Sequence, residues 1–160
     1  DLANNFGNLC QRIFSFVKNN CNNQVAKTKN ISDEDKKLIK QTKVLTGVLR
    51  NLMNNQDLNN YIKSVINISF LTNKYINDEE PWKLKKSNIE KMNNILHLSL
   101  EQIAKISILL NPIIPNATIK VLEALKIKDK FKNLSFLEGE NIISKEIELS
   151  KLNILFQKIN

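Results

Sequence analysis

Apolar residues recur at intervals of three and four in segment after segment of this chain, and only three glycines and three prolines interrupt its 160 residues. That period puts side chains on one face of an α-helix, and so few turn formers leave little room for the tight connections of a barrel or sandwich. Abundant asparagine argues the other way, because its side chain competes with the backbone for hydrogen bonds. The regular apolar spacing decides for helix. A 42% hydrophobic content is enough to fill the core of one domain, residues 1–160. No run of 18 apolar residues and no signal-peptide pattern occurs, so neither secretion nor a membrane partner is expected.

In the first helix Leu2, Phe6, Leu9, Ile13, Phe16 and Val17 make a buried stripe, opposite a polar one of Asn4, Asn8, Arg12, Ser15 and Asn19. The pattern is under way from the first residue, so a piece of a longer protein is expected. Residues 22–31 read as a loop. Ser32, followed by Asp33, Glu34 and Asp35, supplies a hydroxyl cap and acids at the positive end of a second helix. This helix runs to about Asn54, with Leu38, Ile39, Thr42, Leu45, Leu49, Leu52 and Met53 inward. A third starts near Asp57 and carries Tyr61, Ile62, Val65, Ile66, Ile68 and Ser69 toward Tyr75. The stretch Asn77 to Pro81 breaks it.

Ser87 and Glu90 read as a capping box for a fourth helix with Ile89, Met92, Leu96, Ile103, Ile106 and Leu110 on the core. Its second half is apolar on much of its circumference and belongs at the centre. Pro112 and Pro115 set a rigid corner before a short helix over 117–126, with Ile119, Leu122 and Leu125 inward. From Phe131 the period fades: Phe136, Leu137, Ile142, Ile147, Leu149, Leu155, Phe156 and Ile159 follow no clean repeat. An all-α antiparallel bundle of about five helices results, without internal repeats.

The chain carries 24 basic and 16 acidic residues, a formal charge of +8, spread over both halves. A polyanionic partner or merely a soluble lysine-rich surface would account for it. Cys10 and Cys21 are eleven positions apart on one helix, about 16 Å at about 1.5 Å per residue and beyond disulfide reach. A reducing, cytoplasmic setting follows. The lone histidine, His97, makes no metal cluster and reads as a packed or surface residue. No Gly-rich phosphate loop and no Ser/His/Asp set is present, and Asp33, Glu34 and Asp35 read as helix-start acids. The triplet Asn67-Ile68-Ser69 is of a kind that an asparagine-rich chain produces by chance.

Asn8 and Arg12 stand at i and i+4, so both side chains leave one side of the first helix. A guanidinium fork and an amide suit the edge of an unpaired base better than lysines do. A solvated polar stripe, with Arg12 in a surface ion pair, is the plainer alternative. Trp82 follows Pro81 in the stretch PWKLKK, where its ring offers a stacking platform beside the phosphate-seeking Lys83, Lys85 and Lys86. A tryptophan plugging the bundle core is the ordinary alternative.

The segments LANNFGNLCQR, NKYINDEEPWKLKK (Asn73 to Lys86), LLNPIIPNATIKVLEAL (Leu109 to Leu125) and, more faintly, LFQKI (Leu155 to Ile159) together resemble the anticodon-binding domain of bacterial-type methionyl-tRNA synthetases. They occur in that family's order and cover essentially the whole chain. The resemblance implies a class I synthetase helical bundle in which Asn8, Arg12 and Trp82 contact the CAU anticodon of tRNA(Met). Trp82 would stack on the first anticodon base and the polar pair would contribute to base identity. Asn4 and Asn5 would support that surface, and Pro81 would fix the approach of the ring. It also implies a parent ligase that attaches methionine to tRNA with ATP and Mg2+, with its chemistry in a separate catalytic domain. The HIGH-like and KMSKS-like motifs of that domain do not occur here, so this chain is expected to bind tRNA and catalyse nothing. LFQKI would return toward the catalytic body. Anticodon domains of the sister enzymes for isoleucine, leucine, valine and cysteine share the bundle design, and a helical protein-interaction domain unrelated to RNA is the other alternative.

Overall fold

The computed structural model describes residues 3–127, 129, 137, 142–143 and 145–156. A π-helical turn, Ala3–Gly7, leads into α1 (Asn8–Cys21), followed by a two-residue strand β1 (Gln24–Val25). Next come α2 (Asp33–Asn54), α3 (Leu58–Glu79), a single turn α4 (Pro81–Leu84) and α5 (Ile89–Leu110). After α6 (Pro115–Ala124) the last element is a second short strand, β2 (Ile147–Glu148). The expected all-α bundle is present.

Local chemistry sets most boundaries. The Ser32 hydroxyl accepts the Asp35 N–H at 3.1 Å, and the Asp35 carboxylate accepts the Ser32 N–H at 2.9 Å, a reciprocal cap that starts α2. Asp57 accepts the Asn60 N–H and starts α3. Tyr75, near the end of α3, donates its hydroxyl to the buried Asp35 at the start of α2. Tyr61, near the start of α3, donates to the Leu109 carbonyl near the end of α5 at 2.8 Å. These two bonds register α3 antiparallel to both neighbours. Burial keeps the Tyr61 phenol above its usual pKa and the Tyr75 phenol further above, where the hydrogen bond to Asp35 adds to burial.

Helix α5 is the centre, as its composition implied: from Asn94 to Leu110 every residue but Lys105 is buried. Its serines are accommodated because Ser99 and Ser107 each donate to the carbonyl four residues back, at 2.7 Å. It packs against α1, α3, α4 and α6.

Several expectations are corrected. The break before Pro81 falls later than Asn77: α3 continues to Glu79, and Glu80 alone turns the chain in the left-handed region. The cap of α5 is Asn88, which accepts the Lys91 N–H at 3.0 Å. Ser87 instead turns back to the Lys83 carbonyl, and Glu90 accepts from Asn30. Ile89 and Ile119 face solvent, as do Met53 and, at the margin, Ile39, because each stands at the rim of its helix's apolar arc. Phe16 is half-buried, while Phe14 and Cys10 take core positions. The short helix starts at Pro115, whose fixed φ and missing N–H suit a first helical position.

The segment expected as a loop, 22–31, contains β1, which pairs antiparallel with β2 (Gln24 with Glu148, Val25 with Ile147). Leu2, Phe131, Phe136 and Ile159 lie outside the described residues. The described part of the tail is anchored to α5. Glu101, 3% exposed, accepts the N–H groups of Ile142 and Ile143 at 2.6 and 2.7 Å. One turn earlier His97 contacts the Lys145 carbonyl through Nε2 at 3.1 Å and the Thr28 hydroxyl through Nδ1 at 3.0 Å. A carbonyl only accepts, so Nε2 carries the proton of the neutral ring. His97 is thus a packed histidine that ties the residue 28 loop and the tail to α5.

Candidate nucleic-acid interface

The polar stripe of α1 faces solvent throughout: Asn8, Arg12, Ser15 and Asn19 are exposed, as is Asn4 in the preceding π-turn, while Asn5 is half-buried. Asn8 is the first residue of α1, so Asn8 and Arg12 leave it one turn apart on the same side. The π-turn has a packing partner. Gly7 is helical, but a Cβ there would stand 2.9 Å from Cδ2 of Phe156, so the ring lies against bare backbone at the entrance to α1.

Opposite this stripe, Glu80 adopts φ 46° and ψ 58°, a conformation that costs a non-glycine residue of order 1 kcal/mol or more. Its N–H still reaches the Ile76 carbonyl, closing α3. Pro81 follows at the first position of α4, is itself buried, and starts a single turn that lifts the next side chain off the bundle. That side chain is Trp82, 41% exposed. The core-plug alternative is excluded. A ring of this size left in water on a rigid corner, beside a polar stripe, is the informative kind of exposure.

The structure brings Arg12 and Trp82 together. The guanidinium carbon of Arg12 lies 5.0 Å from the centre of the indole ring, in cation–π contact. Among the described residues Arg12 has no carboxylate partner, so the surface ion pair is not what holds it. The stack steadies the ring and the fork at once, and no acceptor for the guanidinium N–H groups stands among the described residues.

The three lysines separate by environment. Lys83 pairs with Glu80 at 2.7 Å in an exposed contact over α4. Lys85 crosses to α1 and donates to the side-chain oxygen of Asn20 at 3.2 Å. The Asn20 amide is itself oriented by donating to the Phe16 carbonyl at 3.0 Å. Lys86 is exposed. Among the described residues Lys85 and Lys86 have no carboxylate partner, so their charge is freer for phosphate than that of Lys83. Cys21 lies beside Lys85; burial pushes its thiol pKa up and the ammonium opposes that shift. Asn20 carries no signal in the sequence that would have placed it here, because its partner is sixty-five residues away.

Among the described residues no group of three or more His, Cys, Asp and Glu side chains could hold a metal ion, and no helix is long and apolar enough to cross a membrane. Both cysteines are free.

Comparison with known proteins gives a consistent result. A family model described as the anticodon binding domain of methionyl tRNA ligase matches residues 25–160, which include Trp82 and the lysines but begin after Asn8 and Arg12. A methionine--tRNA ligase of Rhizobium meliloti (strain 1021) is 31% identical over 145 residues, 90% of this chain and 28% of that protein. One from Rickettsia typhi (strain Wilmington) is 30% identical over 162 residues, 99% of this chain and 32% of that protein. The chain thus spans roughly three tenths of the length of these relatives. The crystal structure of Mycobacterium tuberculosis methionyl-tRNA synthetase bound by methionyl-adenylate shares the fold, with a TM-score of 0.89 at 24% identity over 98% of this chain and 32% of that one.

Proposed function

Since this chain belongs to the anticodon-binding domain family of methionyl tRNA ligase, we propose that Trp82 and Arg12 receive an unpaired base of the CAU anticodon of tRNA(Met). The observation that carries this is the Arg12–Trp82 stack, an exposed ring propped by a guanidinium that has no carboxylate partner among the described residues. An aromatic plane contributes about 1–3 kcal/mol to holding a splayed base whatever its identity. Identity requires a hydrogen-bonding edge, which Arg12 and Asn8 supply from the same side of α1. Pro81, with Glu80 before it, fixes the attitude of the ring, and Asn4 and Asn5 extend the polar surface toward the π-turn. Lys85 and Lys86 meet phosphate, which gives affinity and salt dependence without base preference.

The wider reading follows from the family. The parent is a cytoplasmic methionine--tRNA ligase that activates methionine with ATP and Mg2+ in a separate catalytic part, and the tail from about residue 131 would pack toward that part. This chain recognises the tRNA and leaves the chemistry to that part; its own residues form no candidate metal group in the described region.

Replacing Trp82 by alanine tests the proposal. Fluorescence anisotropy of a labelled anticodon stem-loop should show affinity falling by roughly 5- to 140-fold for CAU and for altered loops alike, with helicity unchanged. Undiminished binding by Trp82→Ala would remove the ring from the interface.

A further inference from the structure

Beyond Trp82, α1 continues toward Asn20, and α4 runs alongside it so that Lys85 meets Asn20 as Trp82 meets Arg12. Where the two elements end they open into a cavity of about 640 Å³, between the end of α1, β1, β2 and the first turn of α5. That size is within the roughly 300–1,000 Å³ of small-ligand sites. Its lining is mixed. Val25, Met92 and Ile147 supply an apolar floor, and Asn93 and Gln24 supply amides. Lys85, beside Asn20 at the end of α1, and Glu146 and Glu148, at the second strand, supply the charged groups of the lining.

We propose that this cavity is a second nucleotide subsite, taking a base that carries an exocyclic amino group from the same RNA loop whose neighbour stacks on Trp82. The inference rests on the anticodon reading above and extends it to a place that the stacked pair does not reach. Arg12 and Asn20 are eight residues apart, about 12 Å along α1, so one strand lying on this helix passes both.

Charge fixes the direction of entry. Lys85 is held by a neutral amide, not by a carboxylate, so its charge remains free for a phosphate at the mouth. The Lys83 ammonium, one residue past the ring, is already shared with Glu80 in an exposed pair. Glu146 and Glu148, at β2, repel phosphate and accept from amino groups, as carboxylates do from cytosine N4. Glu148 also meets Lys126 at 3.0 Å in an exposed pair, so its charge is partly engaged and Glu146 is the freer acceptor. A nucleotide therefore enters with its phosphate on Lys85 and its amino edge toward the strand pair.

Cys21 lines this cavity and is half-buried, whereas Cys10 is fully buried, so one thiol reports occupancy. The test is alkylation of Cys21 in the 160-residue chain by a small maleimide, followed by mass spectrometry, while Trp82 fluorescence is recorded in the same samples. A CAU stem-loop should slow Cys21 alkylation in proportion to the Trp82 signal. Abasic substitution at one loop position other than the Trp82 base should abolish protection and keep the fluorescence change. Lys85→Met should make the salt slope of binding shallower by about 0.7, the value of one single-strand phosphate contact. A Trp82 response with Cys21 alkylated at the free rate, or protection that no single abasic position removes, overturns the subsite. Protection without a Trp82 response overturns the anticodon assignment instead and leaves the cavity as an RNA site. Absence of both the protection and the Trp82 response overturns both readings.

Discussion

Exchanging Arg12 for lysine separates charge from shape at the interface. Arg12 is exposed and makes no ion pair among the described residues, so its replacement strands no buried partner, and folding should be unaffected. Lysine keeps the positive charge and part of the attraction to the Trp82 ring, which at an exposed site is about 0.5–1 kcal/mol in total. It loses the planar fork. One bidentate base contact is worth about 1–3 kcal/mol of discrimination. At about 1.4 kcal/mol per tenfold, that is roughly 5- to 140-fold in the preference for CAU over a loop with a changed first base. The assay is anisotropy with both labelled loops across a salt series. Arg12→Lys should shrink the preference by that factor, with an unchanged salt slope and little loss on the altered loop. An equal loss on both loops would refute the base-reading role and leave Arg12 as a support for the ring or a phosphate contact.

Other consequences concern the scaffold that holds the site. Glu101→Gln leaves one of the two tail N–H groups without an acceptor, and urea unfolding should show a loss of about 1–3 kcal/mol; a loss near zero would mean that the tail is not held there. Gly7→Ala sets a helix-propensity gain of up to about 1 kcal/mol against a clash with Phe156 costing about 1–3 kcal/mol. It should destabilise the native chain but stabilise a Phe156→Ala background, and the same sign in both would dissociate Gly7 from that ring. His97 is held neutral by burial, which lowers its pKa below the usual imidazole value, so the unfolded chain binds the extra proton first. Stability contributed by the neutral ring should be present above the usual imidazole range and lost as pH falls through it. Melting curves between pH 8 and 5 should show an acid-side loss that His97→Gln reduces, and an unaltered pH profile would contradict the assignment.

What was legible in the sequence was mostly what short-range chemistry decides. Ser32 with its acids marked the start of α2, Asp57 marked α3, and the apolar circumference of the segment after Asn94 marked the central helix. The misplaced cap shows how narrow that signal is. Ser87 and Glu90 have suitable letters, but Ser87 turns back over α4, so its neighbour Asn88 is left to accept the first free N–H groups of α5. The β1–β2 pair joins residues more than one hundred and twenty positions apart, a contact for which neither two-residue segment carries a period. The candidate site divides in the same way. The shared side of Asn8 and Arg12 follows from helical spacing, whereas the stack of Arg12 on Trp82 and the reach of Lys85 to Asn20 depend on α4 being set beside α1. The left-handed turn at Glu80 makes that placement possible, and a glutamate gives no warning of it.

The central claim is that the exposed ring of Trp82 meets an anticodon base. Trp82 is the chain's one tryptophan, so its fluorescence can be titrated without a label. A stem-loop with CAU should change the emission at a lower concentration than one with a different first anticodon base, at both low and moderate salt. An emission that RNA does not change while anisotropy reports binding would contradict it, and coincident titrations for the two loops would contradict the base-reading role of Arg12 and Asn8.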